Sequence, residues 1–164
     1  MTDEERFARL VREHGPALRR LAGAWERDAA AQEDLLQEIL FALWRALPRF
    51  RGEATERTFV FRVAHNRALT HRFRRPPRGA SLDEALDVSD PSPSPEALAA
   101  ADQQRQRLAA ALRRLPVVLR QVLVLGLEGL SRGEMAEVLG TTENNATVRL
   151  SRARKALQKE LETL

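Results

Sequence analysis

The stretch SRGEMAEVLGTTENNATVRLSRAR, residues 131–154, decides the fold of this chain. Ser131 followed three residues later by Glu134 is a capping box. The hydroxyl can accept from the Glu134 amide, and the carboxylate can reach back to the Ser131 amide. Met135, Ala136 and Leu139 share a helical face, and Gly140 suits a left-handed C-terminal cap. Thr142 caps a further helix that buries Ala146 and Leu150. The pattern predicts a helix over residues 132–139, a tight turn at Gly140 and Thr141, and a last helix to about residue 160. Small Ala136 lets the two helices cross closely. The layout, over residues 131–152, is that of a helix-turn-helix. Thr142, Asn144, Asn145, Thr147 and Arg149 lie in or near the first two turns of the last helix, where a recognition helix meets base edges. Ser151, Arg152 and Arg154 lie further along, and the arginines suit phosphates.

Working back along the chain, residues 95–115 read as a long helix with Leu98, Leu108, Leu112 and Leu115 on or near one face. Pro116 starts another that holds Val118, Val122 and Leu125 and ends near Gly129. The clearest break lies at residues 76–95. There Pro76, Pro77 and Gly79 end a helical pattern, and Pro91, Pro93 and Pro95 alternate with serines. Such a run forbids a helix and favours extended backbone, so it reads as a linker, with a short turn of helix expected at residues 82–88. About twenty extended residues reach about 65–70 Å, enough to set two modules two turns of DNA apart.

The N-terminal half reads as four helical stretches. Residues 6–13 form the first. Residues 16–25 form the second, with Leu18, Leu21, Ala22 and Trp25 on one face. Residues 30–47 form the third, where Leu36, Ile39, Leu40, Leu43 and Leu47 recur until Pro48 stops the helix. A loop with Gly52 precedes the fourth, residues 55–75. The expected fold class is all-α: two small helical domains joined by a Pro/Ser-rich linker, the second containing the helix-turn-helix. The expected bounds are 1–76, then 77–103 for the linker and the start of the next helix, then 104–164.

Charge is distributed unevenly. The net charge is +4 with a pI near 10.7, which permits nucleic-acid binding. From residue 57 to 82 there are seven arginines (57, 62, 67, 72, 74, 75 and 78) and no acid. From residue 28 to 40 there are four acids (28, 33, 34 and 38) and no Lys or Arg. The basic stretch suits phosphates. The acidic one suits a protein surface, since DNA would repel it. The chain has no Cys, which excludes disulfides, thiolate metal sites and a Cys nucleophile. It carries no phosphate-binding Gly loop and no helical metal spacing among His14, His65 and His71. Neither an enzyme nor a cofactor is expected. No apolar run approaches the length of a membrane span, and residues 1–12 carry charges throughout, so a cytoplasmic protein without membrane insertion is expected. A one-component repressor would need a ligand or dimerisation domain, and the N-terminal half offers an acidic and a basic helix instead.

Both halves together resemble the extracytoplasmic-function (ECF) sigma factors of bacterial RNA polymerase. Residues 34–38 (DLLQE) with residues 43–47 (LWRAL) resemble sigma region 2.2. The resemblance implies that Asp34, Leu35, Gln37, Glu38 and Trp44 bind core polymerase. Residues 50–75 resemble regions 2.3 and 2.4, which open the duplex and read the −10 element. This implies −10 roles for Gly52, Glu53, Thr55 and Arg57 in the loop. It implies the same for Arg62, His65, Asn66, Arg67, His71, Arg72, Arg74 and Arg75 on the helix. The loop and Asn66 would form the pocket for an extruded base. Residues 112–161 resemble region 4, which implies −35 recognition by the last helix. Thr58, Phe59, Val60, Phe61 and Arg62 stand where many members have Thr-Trp-Leu-Tyr-Arg, with apolar character kept. Thr147 and Ser151 replace a common basic residue and a common histidine, so an altered or weaker −35 preference is expected. The implied partners are core RNA polymerase, promoter DNA through its −35 and −10 elements, and an anti-sigma factor.

Overall fold

The computed structural model describes residues 1–74 and 96–164, the side chains of 96–98 excepted. The linker at residues 76–95, the turn expected at 82–88, and Arg75 lie outside the described residues. Helices α1 (Asp3–Trp25), α2 (Ala29–Ala46) and α3 (Glu56–Arg74) make up the first half, with a 3₁₀ turn, Leu47–Arg49, after α2. Helices α4 (Glu96–Arg114), α5 (Val117–Leu127), α6 (Arg132–Leu139) and α7 (Glu143–Thr163) make up the second. Among the described residues there is no strand. The protein is all-α.

One helix stands where two were expected. α1 starts in a capping box, Thr2 with Glu5, and runs through Pro16 without ending. An interior proline removes a backbone donor and crowds the carbonyl four residues before it, at a cost of about 3 kcal/mol. Leu10, Ala17, Leu18, Leu21, Ala22 and Trp25 form one buried stripe on both sides of that point. The burial gained along the stripe outweighs the local defect, at roughly 1.5–3 kcal/mol for each large side chain.

α2 lays Leu35, Leu36, Ile39 and Leu43 against α1 and α3, and Leu47 completes that face from the 3₁₀ turn containing Pro48. α3 adds Phe59, Val60, Phe61, Ala64 and Ala68. In the second half, Leu112 and Leu115 pack with Val122, Leu125, Leu130, Met135, Ala146 and Leu150.

One buried apolar cluster runs through both halves, and charged and backbone groups add to their contact. The Arg20 guanidinium makes two bonds to Glu128, at 2.7 and 2.8 Å. Arg57 makes two to Glu134, at 3.2 and 2.7 Å. Arg113 Nη1 donates to the Gly23 carbonyl at 2.7 Å, and Arg62 Nη2 donates to that of Glu137 at 3.4 Å. Arg120 is 2% exposed and lies over the Trp25 ring at 5.0 Å. It donates to the carbonyls of Leu112, Arg113 and Leu115, closing the C-terminus of α4. Burial, with Arg72 and Arg113 nearby, pushes the Arg120 guanidinium down to about 10.

Candidate nucleic-acid interface

α7 carries a polar face on an apolar back. Ala146, Leu150 and Ala153, spaced four and three apart, are its buried face. The opposite face carries Asn144, Asn145, Ser151, Arg152 and Arg154, all exposed, with Thr147 and Arg149 half-buried. The helix start is tightly held. Thr142 Oγ1 accepts from the Asn145 amide at 3.1 Å, and Asn145 Nδ2 donates to Thr141 Oγ1 at 3.2 Å. Thr147 Oγ1 donates back to the Glu143 carbonyl, a common use of a hydroxyl inside a helix. Asn144 therefore offers its amide to a base edge more readily than Asn145 or Thr147.

The turn before α7 has the expected chemistry. Ser131 and Glu134 form both bonds of the capping box, at 2.9 and 3.1 Å. Gly140 sits at φ 65°, and its amide donates to the Ala136 carbonyl. A left-handed residue at this point costs glycine little and other residues more. One detail escaped the sequence reading. A Cβ on Gly133 would lie 2.7 Å from Glu143 Oε1, so the bare Gly133 lets the Glu143 carboxylate fold back over the start of α6. That contact needs the tertiary crossing of the two helices and leaves no local signal.

α3 is a different kind of surface. Thr55 Oγ1 accepts from the Thr58 amide at 3.1 Å and so holds the helix start. The loop before it is anchored at both ends: Phe50 stacks on Phe59 with centroids 4.4 Å apart, and Glu56 takes two bonds from Arg9. Its tip, Arg51, Gly52 and Glu53, is exposed, and Gly52 takes φ 80°. Asn66 is exposed midway along α3, with Arg74 exposed near its end.

Several expected −10 residues point elsewhere. His65 is 1% exposed and faces the core, so it cannot touch DNA in this structure. Neither ring nitrogen has a hydrogen-bond partner among the described residues, and burial pushes the imidazole down to about 3. A neutral ring packed beside Phe61 suits that position. His71 is also buried. Its Nδ1 lies 2.5 Å from Glu38 Oε2 and its Nε2 lies 2.9 Å from Glu26 Oε1. Arg67 donates to Glu38 at 3.2 Å. Burial alone would raise the Glu38 carboxyl, but the His71 and Arg67 contacts win and hold it below its usual range. The arginine run that lacks local acids thus receives them from distant segments: Glu38 for Arg67 and Glu134 for Arg57.

The residues of α2 expected to bind polymerase divide in the same way. Asp34 and Gln37 are exposed and Trp44 is 39% exposed. Leu35 is wholly buried, so it supports the helix from behind and does not reach a partner. Glu38 turns toward His71 and Arg67. Phe41, 61% exposed, belongs on the outer face with Gln37 and Trp44 and was missed. Its spacing of four from Gln37 and three from Trp44 was the available signal. Asp34, Gln37, Glu38, His71 and Arg74 line one shallow pocket, where the acidic and basic stretches meet. Among the described residues no group of His, Asp or Glu is placed to hold a metal ion. No described helix is long and apolar enough to cross a membrane.

Residues 10–76 match the family described as Sigma-70 region 2, and residues 105–157 match Sigma-70, region 4. The RNA polymerase sigma factor CnrH of Cupriavidus metallidurans is 32% identical over 164 residues, covering 94% of this chain and 86% of its own. The RNA polymerase sigma-H factor of Pseudomonas aeruginosa is 31% identical over 172 residues, covering 99% and 89%. The ECF RNA polymerase sigma-E factor of Escherichia coli is 30% identical over 141 residues, covering 80% and 74%. The solved structure of CnrH in complex with the cytosolic domain of CnrY matches with TM-score 0.71 and 28% identity, over 98% of this chain and 90% of that one.

Proposed function

The chain belongs to the ECF sigma factors of RNA polymerase, and we propose a division of that work among its helices. As a sigma factor it binds core polymerase and directs promoter recognition and transcription initiation. In our reading, α2 docks on the polymerase through Asp34, Gln37, Phe41 and Trp44. The loop at residues 52–57 and Asn66 on α3 open the duplex and hold a −10 base, with Arg72 and Arg74 on the backbone. α7 reads the −35 element through Asn144 and Arg149, with Arg152 and Arg154 on phosphates. The module bounds are 1–76 and 104–164, with residues 77–103 between them.

The observation that carries this reading is α7 itself. An exposed row of Asn and Arg stands on a buried apolar back, behind a fully formed capping box and turn. The protein acts in the cytoplasm, where polymerase is, and performs no catalysis of its own. An anti-sigma factor restrains it, a role supported by the CnrH relative, whose solved structure holds the cytosolic domain of CnrY.

Run-off transcription with core polymerase across a promoter library tests the whole assignment. Specific initiation with two preferred elements is expected. In that assay Arg149→Ala relaxes preference at one −35 base, while Arg154→Ala weakens all promoters alike and lowers the salt dependence. Equal, sequence-independent losses from both variants would remove Arg149 from base reading.

A further inference from the structure

The outward face of α7 carries one apolar side chain in a row of polar ones. Val148 is 39% exposed, the one large apolar side chain so exposed among the described residues of α7. It stands two residues after Ala146 and two before Leu150, which are both buried. At about 100° per residue it points about 160° from each, at the centre of the opposite face. Its neighbours there, Asn144, Ser151 and Arg152, lie three or four residues away and are exposed and polar. Two other polar groups of the same turns are already bonded within the chain, Asn145 Nδ2 to Thr141 and Thr147 Oγ1 to the Glu143 carbonyl. The face therefore meets its partner with an amide, an isopropyl group and a guanidinium in one row. A protein partner asks for a contiguous apolar patch. A single apolar group among polar ones suits the major groove, where the apolar group that base pairs present is the C5-methyl of thymine.

We propose that Val148 determines specificity at one position of the −35 element by packing its methyl groups on the C5-methyl of a thymine. The proposal rests on the reading of α7 as the −35 helix and adds the base preferred at that position. Val148 lies in the second turn of α7, within the part of a recognition helix that meets base edges. Asn144, one turn before it, offers a donor and an acceptor together, the pair that adenine N6 and N7 match. Arg152, one turn after it, suits a phosphate. The methyl contact works by removing apolar area from water. It separates thymine from cytosine, which lacks the methyl group and presents an amine instead. It involves no charge, so salt leaves it in place while the arginine contacts to phosphate weaken.

The test uses the full chain assembled with core polymerase, on a promoter from which it initiates, and reads promoter affinity by competition. Each thymine of the −35 element, on either strand, is replaced in turn by deoxyuridine, which removes the C5-methyl and nothing else. With the wild type, one replacement is expected to weaken binding about three- to fivefold, the worth of one buried methyl group. The factor should be the same at low and high salt. Val148→Ala should weaken binding to the thymine promoter by a similar factor and bind the thymine and deoxyuridine promoters equally. Val148→Thr, which keeps one methyl group, should retain part of the preference. Alanine favours a helix more than valine, so the fold is kept, and circular dichroism checks it. The proposal is overturned if the preferred element holds no thymine, if no single replacement affects the wild type, or if Val148→Ala keeps the full preference for thymine over deoxyuridine. Failure of the −35 reading shows differently: binding then survives scrambling of the whole −35 element, and the proposal falls with it. Failure of the Val148 proposal alone leaves binding dependent on that element but indifferent to its methyl groups.

Discussion

α3 and α7 are both Arg-rich helices, yet they carry their charge differently. On α7 the apolar and polar residues separate cleanly, and Ser151, Arg152 and Arg154 stand in solvent. On α3 the polar residues are entangled with the fold. His65 is in the core, His71 lies between two carboxylates, Arg67 is paired with Glu38 and Arg57 with Glu134. Both helices pack against three others, α3 against α1, α2 and α6, and α7 against α4, α5 and α6. The difference is that carboxylates of α2 and α6 face the polar residues of α3, while Ser151, Arg152 and Arg154 of α7 stay in solvent.

Substitutions can break or sharpen this comparison. The largest effect is expected from the apolar back of α7. Leu150→Ala, at a position 4% exposed, should cost about 2–5 kcal/mol in denaturant unfolding. A loss below about 1 kcal/mol would mean that α7 is poorly seated.

Next is the pH dependence that His65 on α3 should impose. The His65 pKa is depressed from its ordinary 6.5 to about 3. Its contribution is fully present above 6.5 and is lost as pH falls toward 3, because the unfolded chain binds the proton first. The slope is about 1.4 kcal/mol per pH unit in that window. His65→Leu should flatten the stability profile between pH 6.5 and 4. An unchanged slope would place the proton elsewhere.

The third effect concerns the Glu38 cluster. Glu38→Ala leaves His71 and Arg67 without a shared acceptor and should cost about 1–3 kcal/mol. A residue that only touched polymerase would lower core binding in a pull-down without moving the unfolding curve.

The smallest is Arg154→Ala on the exposed face of α7. Its stability should stay within about 0.5 kcal/mol of wild type, while promoter DNA binding weakens. A clear destabilisation would show that α7, too, gives its charges to the fold.

Much of the molecule was legible from periodicity and punctuation. The capping box at Ser131, the turn at Gly140, the Thr142 cap and the stop at Pro48 depend on neighbours within four residues, and each is found at its expected place. Pro16 misled for the same reason: a local rule predicts a break, while the buried stripe on both sides of it is a tertiary quantity. The α2 face was half legible. Its inner residues follow the helical period, but Leu35 was placed with the outer set, and Phe41 was passed over although it shares the face of Gln37 and Trp44.

The sequence by itself determined the all-α class, the helix boundaries to within a few residues except at Pro16, the helix-turn-helix, and through its ordered motifs the sigma-factor family. These follow from short-range rules of capping, period and turn chemistry. The tertiary structure alone decided which charges are free. His65 and Asn66 are adjacent polar residues on one helix, and a rotation of about 100° per residue sends one into the core and the other to solvent. Arg57 and Glu134 are 77 residues apart, and only the packing of α3 on α6 brings them within 2.7 Å. A charge run reads as free when its neighbours in sequence are inspected, but Coulomb attraction acts through space, and the opposing carboxylates arrive with other helices.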